Sequence, residues 1–180
     1  MKFSIIIAVD DKNGIWKNNS LAWRISADMK YFKNITSKTN NLAKNNAVIM
    51  WRKTWESIPD MYRPLPDRVN CILSRKIINN DWLQIDDSIL NFNSLEKCLS
   101  ELELKENIEN IFLIGGANLY NQVLNNPMLA NIYITKVKWD YNCDVFFDWI
   151  PDNFVEESST DIQSENGIEY SFWVYKEKAS

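Results

Sequence analysis

The sequence has no histidine, and its other scarce residue types also narrow what the chain can do. Without an imidazole, acid–base chemistry has to use a carboxylate, tyrosine, cysteine, lysine or a bound water. The three cysteines (Cys71, Cys98 and Cys143) are odd in number and lack the spacing of metal ligands, which favours reduced thiols in a cytoplasmic protein. No apolar run is long enough to span a membrane, so we expect no membrane partner.

Positive charge is also in short supply, since the formal net charge is −4. This balance disfavours a nucleic-acid partner, and the cations of any phosphate site then have to be concentrated locally. Residues 3–9 are apolar like a signal peptide but lead into Asp10 and Asp11 rather than a cleavage site, which favours a buried first strand. The hydrophobic fraction of 46% excludes general disorder, and the length of 180 residues predicts one domain over 1–180.

Glycine is rare, with four in the chain, and two of the four are adjacent at Gly115 and Gly116. An apolar run over 111–114 predicts a buried strand before them, and helical spacing begins at Ala117. A strand that turns through glycine into a helix presents free backbone N–H groups, which suits the phosphates of a nucleotide. The same pair also suits any tight turn, so this junction alone leaves both interpretations open.

A second strand-to-helix junction supports the phosphate interpretation. Residues 47–50 predict a buried strand that runs into a short helix over 51–58, with Arg52 and Lys53 where that helix begins. The helix dipole favours acids at this end, so two cations there indicate a bound anion. Ser74 and Arg75 follow the next predicted strand, 69–73.

The first predicted helix brings a carboxylate toward the core. Ser26 is a suitable N-cap for a helix that runs to about Thr36, and its apolar face includes Phe32 and Ile35. Asp28 lies on the flank of that face, where a carboxylate is costly unless it is paired. The alternative is an ordinary first-turn aspartate, which the helix dipole favours.

The remaining segments complete an α/β pattern. We expect a short strand over 82–85, a helix over 95–104, strands over 132–137, 144–147 and 154–158, and a closing antiparallel hairpin with a turn at 165–167 and a strand at 170–175. Strand–helix alternation over the first two-thirds predicts a mainly parallel central sheet with helices on both faces. Ligands of such sheets bind beyond the carboxyl ends of the strands, where the polar residues named above occur.

These residues together resemble the dihydrofolate reductase family over nearly the whole chain. Eight pieces occur in the family's order: Ile6-Ile7-Ala8, the loop 18–23 ending in Trp23, Asp28 with Phe32, the strand end 48–50 with 52–58, the segment 63–68, Ile72-Leu73-Ser74-Arg75, Ile114-Gly115-Gly116 with Tyr120, and Tyr133-Ile134-Thr135. The resemblance implies a three-layer α/β fold with a mainly parallel sheet and a C-terminal antiparallel hairpin.

The activity that the resemblance implies is reduction of 7,8-dihydrofolate to 5,6,7,8-tetrahydrofolate by hydride transfer from NADPH, for one-carbon and thymidylate metabolism. Its partners would be dihydrofolate and antifolate inhibitors, with no nucleic acid, no membrane and no metal. We expect a cytoplasmic monomer, unless the chain is part of a fusion with thymidylate synthase.

The resemblance also assigns the substrate site. Asp28 matches the family's active-site carboxylate, which hydrogen-bonds the amidine-like edge of the pteridine and promotes protonation of N5. Thr135 matches the hydroxyl that bonds this carboxylate, and Trp23 is the third residue expected at the catalytic centre. Arg68 matches the arginine that holds the α-carboxylate of the folate glutamate. The whole expected substrate site is Ile6, Ile7, Asp28, Phe32, Ser57, Ile58, Leu65, Arg68, Ile114, Tyr120 and Thr135, with Ile7, Phe32 and Ile58 as pocket walls.

The expected cofactor site follows in the same way. Ala8 and Ile15 match backbone contacts to the nicotinamide carboxamide. Ser74 and Arg75, with Arg52, match the 2′-phosphate site that selects NADPH over NADH. The two phosphate junctions are Arg52, Lys53 and Thr54, and Gly115, Gly116, Ala117, Asn118, Leu119 and Tyr120. The Gly115–Gly116 peptide is cis in the family, a geometry that is tolerable at glycine.

Three positions depart from the family pattern. Trp16 and Trp51 stand where glycine is usual, and Ala22 replaces a proline, which loosens its loop. If either tryptophan needed a positive φ, the strain would be roughly 1–2 kcal/mol, and an indole could fill the volume of pyrophosphate or nicotinamide ribose. We predict that both rings turn outward to solvent and that catalysis survives.

Two alternatives to an active dihydrofolate reductase remain at this point. One is a catalytically weak or silent folate-binding relative, or a structural protein on the same fold, because of Trp16 and Trp51. The other is a reductase of a related pteridine or pyrimidine. Asp28 together with Arg68 argues against the second, because Arg68 has no purpose without a folate glutamate tail.

Overall fold

The computed structural model describes residues 1–18, 20–75 and 88–178, which form an α/β fold. Its elements in chain order are β1 (Phe3–Val9), β2 (Gly14–Trp16), α1 (Ser26–Ser37), β3 (Asn45–Trp51), α2 (Arg52–Ser57), a 3-10 turn (Asp60–Tyr62), β4 (Arg68–Leu73), β5 (Ile89–Phe92), α3 (Leu95–Glu103), β6 (Ile108–Gly115), α4 (Ala117–Val123), β7 (Leu129–Val137), β8 (Val145–Phe146), β9 (Phe154–Ser159), β10 (Gln163–Glu165) and β11 (Ile168–Glu177).

One nine-stranded sheet organises these elements. Its order is β10-β11-β7-β1-β6-β3-β4-β5, and β9 pairs with β11 beside this path. The pairs from β7 through β5 are parallel, while β11 pairs antiparallel with β7, β9 and β10. The short strands β2 and β8 pair with each other. The predicted fold class, a mainly parallel sheet with an antiparallel C-terminal part, is therefore confirmed.

The central strands are apolar on both faces because helices cover both. Ile6 of β1 belongs to the α1-face cluster, which is formed by sheet residues such as Val48 and Phe112 together with Phe32 of α1 and Trp55 of α2. Ile5 and Ile7 of β1, whose side chains alternate with Ile6, belong to the α4-face cluster, which includes Leu102 of α3 and Leu119, Tyr120 and Val123 of α4. The result is a three-layer arrangement with Asp28 on the α1 side.

The structure corrects several sequence expectations about local elements. Ser26 is the first residue of α1, not its N-cap; Ile25 holds that position without a side-chain cap. The carboxylate of Glu165 serves instead, accepting the backbone N–H groups of Ser26 at 2.7 Å and Ala27 at 3.0 Å. Strands β2 and β5 were not predicted, because both are short and depend on their partners. The expected strand over 82–85 lies outside the described residues.

The Gly115–Gly116 junction also differs from expectation. Among the described residues, the one cis peptide bond joins Arg63 and Pro64, so the Gly115–Gly116 peptide is trans and the implied cis geometry is wrong. Gly116 reverses the chain through a φ of +112°, which glycine adopts without the steric penalty of a side chain. In the part of the chain that the structure describes, no helix is long and apolar enough to cross a membrane.

Candidate active site

Asp28 and Thr135 form the polar centre of the α1 face. The Thr135 hydroxyl donates a 2.6 Å hydrogen bond to Asp28 Oδ1, joining α1 to β7. Burial raises the pKa of the Asp28 carboxyl, and the bond from Thr135 partly offsets this effect. Asp28 is therefore partly buried and partnered, as its position on the flank of the apolar face predicts, and it also lies in the first turn of α1, where the helix dipole favours an acid.

Trp23 belongs to a third hydrophobic cluster, and Ala22 and Ala8, the sheet partner of Thr135, pack against this cluster. Its indole is buried and packs edge-on against Tyr141, with ring centroids 5.3 Å apart. The indole Nε1 is a buried donor that has no hydrogen-bond partner within the described residues. A buried donor of this kind is unfavourable unless a ligand or a water satisfies it.

An apolar wall continues from Asp28 along the α1 face. Five predicted substrate residues belong to or pack against the α1-face cluster: Ile6, Phe32, Ile58, Leu65 and Ile114. Ile7 does not join them, because its side chain points to the opposite face of β1 and is buried in the α4-face cluster. The assignment of Ile7 as a side-chain wall is therefore wrong, and Ile6 has that position.

Arg68 closes the far end of this wall. Its side chain is 5% exposed, its guanidinium lies 5.8 Å above the Phe32 ring, and Nε donates to the Pro66 carbonyl at 2.9 Å. Nη1 donates to Thr36 Oγ1 at 2.7 Å. Burial lowers the pKa of Arg68, which nonetheless remains a cation. Within the residues that the structure describes, Arg68 makes no ion pair.

Thr36 is a site residue that the sequence reasoning missed. It is fully buried on α1, and its hydroxyl both accepts from Arg68 and donates to the Phe32 carbonyl at 2.7 Å. Asp28, Phe32 and Thr36 follow one another at intervals of four residues, which places them on one stripe of the helix. That periodicity is the sequence signal that could have identified Thr36.

The residues predicted to bind the phosphates of the cofactor gather at the carboxyl ends of three neighbouring strands, β6, β3 and β4, whereas Ala8 and Ile15 belong to β1 and β2. Arg52, Lys53 and Thr54 open α2 after β3, Ser74 and Arg75 follow β4, and the segment 115–120 follows β6. Arg52 is held by Glu56 at 3.3 Å, whereas Lys53 and Arg75 are exposed. Asn118 is exposed too, and Ser57 donates to the Thr54 carbonyl at 2.7 Å.

The two glycines bring the β3–α2 and β6–α4 junctions into contact. A Cβ placed on Gly115 would stand 2.1 Å from Thr54 Cγ2, and one placed on Gly116 would stand 2.3 Å from Trp51 Cδ1. Neither position therefore has room for a larger residue unless its neighbour moves. Tyr120 adds a link from α4 to β1, since its hydroxyl donates to the Ile6 carbonyl at 3.3 Å.

The prediction that both tryptophan rings turn outward is wrong. Trp16 and Trp51 are partly buried and pack against the α4-face cluster, because covering an indole removes a large apolar area from water. Neither has a positive φ among the described residues, so the strain considered for them does not arise. Ile15 and Leu119 are buried in the same cluster, so their side chains face the core and leave only backbone to a ligand.

Comparisons with known proteins agree with this geometry. The family profile described as dihydrofolate reductase matches residues 2–177. The chain is 36% identical over 177 residues to the dihydrofolate reductase of Drosophila melanogaster, with 96% of each protein covered. It is 42% identical over 134 residues to the dihydrofolate reductase of Candida albicans, covering 74% of this chain and 67% of the relative.

A longer relative matches over the same region. Bifunctional dihydrofolate reductase-thymidylate synthase 2 of Arabidopsis thaliana is 35% identical over 175 residues, which is 94% of this chain and 30% of that protein. The family match spans the fold from β1 to β11, including Asp28 on α1, Thr135 on β7 and Arg68 on β4. The chain therefore belongs to the dihydrofolate reductase family.

Proposed function

We propose that this protein reduces 7,8-dihydrofolate to 5,6,7,8-tetrahydrofolate with NADPH, as an active dihydrofolate reductase in one-carbon and thymidylate metabolism. The observation that carries the proposal is the stripe of α1 that leads from Asp28 past Phe32 to Thr36 and its partner Arg68. Residues 28 and 36 are separated by about 12 Å along the helix axis. The stripe fits an elongated ligand with hydrogen-bond donors at one end and a carboxylate at the other.

Asp28 would recognise and help to protonate the pteridine end. Thr135 donates to Oδ1, and no residue in the described part of the chain donates to Oδ2, which leaves that oxygen to accept from an amidine-like edge. Because burial raises the pKa of Asp28, the carboxyl holds a proton more readily than an aspartate in water does. With no histidine in the chain, Asp28 with a water is the route for the one proton that the reaction needs.

Arg68 would hold the glutamate end. A guanidinium carries five N–H donors, and two of its nitrogens here are engaged by Pro66 and Thr36. A buried guanidinium that makes no ion pair among the described residues, and is affected only by the nearby charge of Asp67, fits an anionic ligand group. A carboxylate matches the planar fork of arginine. The Trp23 Nε1 donor would be satisfied in the same complex, by the substrate or by a water that it orients.

The cofactor would lie across the carboxyl ends of β4, β3 and β6. Arg75, Ser74 and Arg52 would bind the 2′-phosphate, and Thr54 with the 115–120 segment would hold the pyrophosphate. NADPH supplies the hydride when it is bound. The protein would orient the nicotinamide through the backbone of Ala8 and Ile15, beside Thr135, which pairs with Ala8 in the sheet.

The proposal extends to the wider setting of the enzyme. Three buried cysteines without a disulfide fit a cytoplasmic protein. Antifolates with a protonated amidine-like edge would bind Asp28 for the same electrostatic reason as the substrate. We propose a monomer with a single domain, or the reductase part of a fusion with thymidylate synthase.

The test is turnover by an Asp28→Asn variant, followed through the loss of NADPH absorbance with dihydrofolate. Asparagine can still accept from Thr135 but cannot support protonation, so we expect a fall of at least ~10²-fold at neutral pH with NADPH binding retained. Asp161→Asn, which removes an exposed carboxylate from the β9–β10 connection, should leave turnover unchanged. Near-normal turnover in Asp28→Asn would contradict the assignment.

A second candidate is a folate-binding relative with weak reductase activity. The observation that favours it is the Trp51 indole against Gly116, at the turn where the pyrophosphate would bind. This candidate predicts tight folate binding through Asp28 and Arg68 without turnover at ordinary NADPH concentrations.

A further inference from the structure

The Trp51 side chain covers the Gly116 turn and is well packed there. Its Cδ1, Cγ and Nε1 atoms would lie 2.3, 3.2 and 3.4 Å from a Cβ on Gly116, so the pyrrole edge of the indole uses the space that the missing side chain leaves. Trp51 has φ −70° and ψ 152°, an ordinary extended conformation, and its ring packs against the α4-face cluster. Sterics and burial therefore both favour this position in the free protein.

The position of the ring conflicts with the route of a dinucleotide. Trp51 is the last residue of β3 and directly precedes Arg52, the first residue of α2, and its indole extends from this junction to Gly116. A pyrophosphate that contacts Thr54 and the Gly116 backbone together would have to occupy space that the indole now fills. Gly116 leaves space because it has no side chain, but the Trp51 indole fills that space.

We propose that Trp51 is a gate on the cofactor site, closed over Gly116 in the free protein and turned away when NADPH binds. The proposal rests on the function proposed above and adds a residue that sets cofactor affinity. The binding-competent form is the open one, so the apparent Kd is the intrinsic Kd divided by the open fraction. A gate that is open for about one-tenth of the time therefore weakens NADPH binding tenfold.

The gate should act on the cofactor site and leave the substrate site unchanged. The α1 stripe and its partner Arg68 lie on one face of the sheet, whereas the α4-face cluster, against which the Trp51 ring packs, lies on the other. Folate affinity should therefore be insensitive to Trp51. Binding of folate is therefore an internal control for correct folding in every Trp51 variant.

The experiment is calorimetric titration of NADPH and, separately, folate into the wild type, Trp51→Gly, Trp51→Ala and Trp149→Gly. Trp149 is 85% exposed, so its replacement removes an indole of equal size without opening the turn. We expect both Trp51 variants to bind NADPH at least tenfold more tightly than the wild type. Trp149→Gly should stay within twofold of the wild type, and folate affinity should be equal in all four proteins.

The results of these titrations distinguish failure of the gate proposal from failure of the proposed function. Equal or weaker NADPH binding by the Trp51 variants, with dihydrofolate reduced by the wild type, overturns the gate and leaves the function in place. No NADPH binding by any of the four proteins overturns both, because removal of the ring then opens no cofactor site. Tighter binding by Trp51→Gly alone, without Trp51→Ala, also overturns the gate, since backbone freedom rather than ring removal would be the cause.

A structural readout tests the gate without any variant. In the free wild-type protein, NMR should show a nuclear Overhauser contact between the Trp51 indole Hδ1 and the Gly116 Hα protons, because these groups touch. Saturating NADPH should abolish it. A contact that persists in the NADPH complex would show that the ring does not move and would overturn the proposal.

Discussion

The partly buried carboxylate of Asp28 should affect stability as well as the proposed catalysis. Burial raises its pKa above the ordinary value of 3.8, so the folded protein binds this proton more tightly than the unfolded chain does. Stability from this group is therefore fully present below pH 3.8 and is lost as the pH rises through the raised pKa. Above the raised pKa, the folded state bears the cost of a carboxylate that is both ionised and partly buried.

Asp28→Asn should consequently be more stable than the wild type at neutral pH, although it is nearly inactive. We expect Tm to rise by a few degrees, since about 1 kcal/mol moves Tm by roughly 2–4 °C in a chain of this size. The advantage should shrink as the pH falls and disappear in acid. Thermal unfolding across a pH series measures it, with Asp161→Asn as the control for loss of a surface charge. If Asp28→Asn were less stable than the wild type at every pH, the predicted direction of the stability change would be wrong.

For single residues, the environment of a side chain could be predicted when the sequence also identified the residues that contact it. Asp28 lies at a helical spacing that places it against the core, and the family pattern gives Thr135 as its partner. The orientation of Trp51 could not be predicted, because it depends on a contact with Gly116 across two separate junctions. Local propensity contains no information about which of two faces an indole will cover.

Helix α1, which presents Asp28, is anchored by an element far along the chain. Glu165, at the end of β10, accepts from the first two N–H groups of α1, and these bonds lower the pKa of its carboxyl. A lowered pKa means that its stabilisation is present above the ordinary value of 4.5 and is lost as the pH falls through the folded value.

Glu165→Ala should therefore lower Tm at neutral pH by a few degrees, and Glu165→Gln by less, because the amide oxygen can still accept one bond. The difference from the wild type should vanish in acid. Glu169→Gln, a charge change on the neighbouring strand β11, is the matched control. Equal effects of Glu165→Ala and Glu169→Gln would show that net charge, and not the cap, is responsible.

The proposed 2′-phosphate site, which would discriminate NADPH from NADH, lies at the ends of β3 and β4. Arg75 is exposed after β4 and Arg52 opens α2, so both can reach a phosphate at that edge of the sheet. A charge-assisted hydrogen bond contributes about 1.5–3 kcal/mol, so Arg75→Ala should weaken NADPH by roughly tenfold or more. NADH lacks the 2′-phosphate and should be almost unaffected.

The measurement is a pair of calorimetric titrations, one with each cofactor. Lys105→Ala removes an exposed cation after α3 and should change neither affinity. If Arg75→Ala weakens NADPH and NADH equally, Arg75 does not bind the 2′-phosphate.

The long central strands could be predicted because an apolar run buried on both faces is itself a sequence signal, as in β1, β3 and β6. The three-residue strand β2 and the four-residue strand β5 could not, because each exists only through pairing with β8 or β4. The cap of α1 was missed for the same reason. Serine next to a helix start is a local cue, whereas Glu165 is brought there by tertiary structure.

For the whole molecule, the three buried thiols report global unfolding. Cys71 and Cys98 are 0% exposed and Cys143 is 9% exposed. A hydrogen bond with Cys71 and burial raise the pKa of Cys98, and burial raises the pKa of Cys143 to about 11. The thiolate fraction of Cys143 is then lower than that of an ordinary thiol by more than about 10²-fold.

The native protein should therefore react slowly with an aromatic disulfide reagent, and the chain unfolded in guanidinium should react rapidly at all three cysteines. Cys143 should be the first to react as denaturant is raised, since Cys71 and Cys98 lie in the centre of the α4-face cluster. Absorbance of the released thiolate gives both rate and stoichiometry. Rapid reaction of more than one thiol in the native protein would contradict this burial.

The contacts that fix α1 to two distant residues have a consequence for synthesis of the protein. Asp28 meets Thr135 after 107 further residues, and the N–H of Ser26 meets Glu165 after 139. A ribosome that adds about 5–20 residues per second takes on the order of 10 s to translate that interval. Until then α1 has neither the Thr135 hydroxyl on its aspartate nor the Glu165 carboxylate on its first N–H groups. The two contacts that hold α1 in place therefore form only after most of the chain has been made, so α1 reaches its final position late in synthesis.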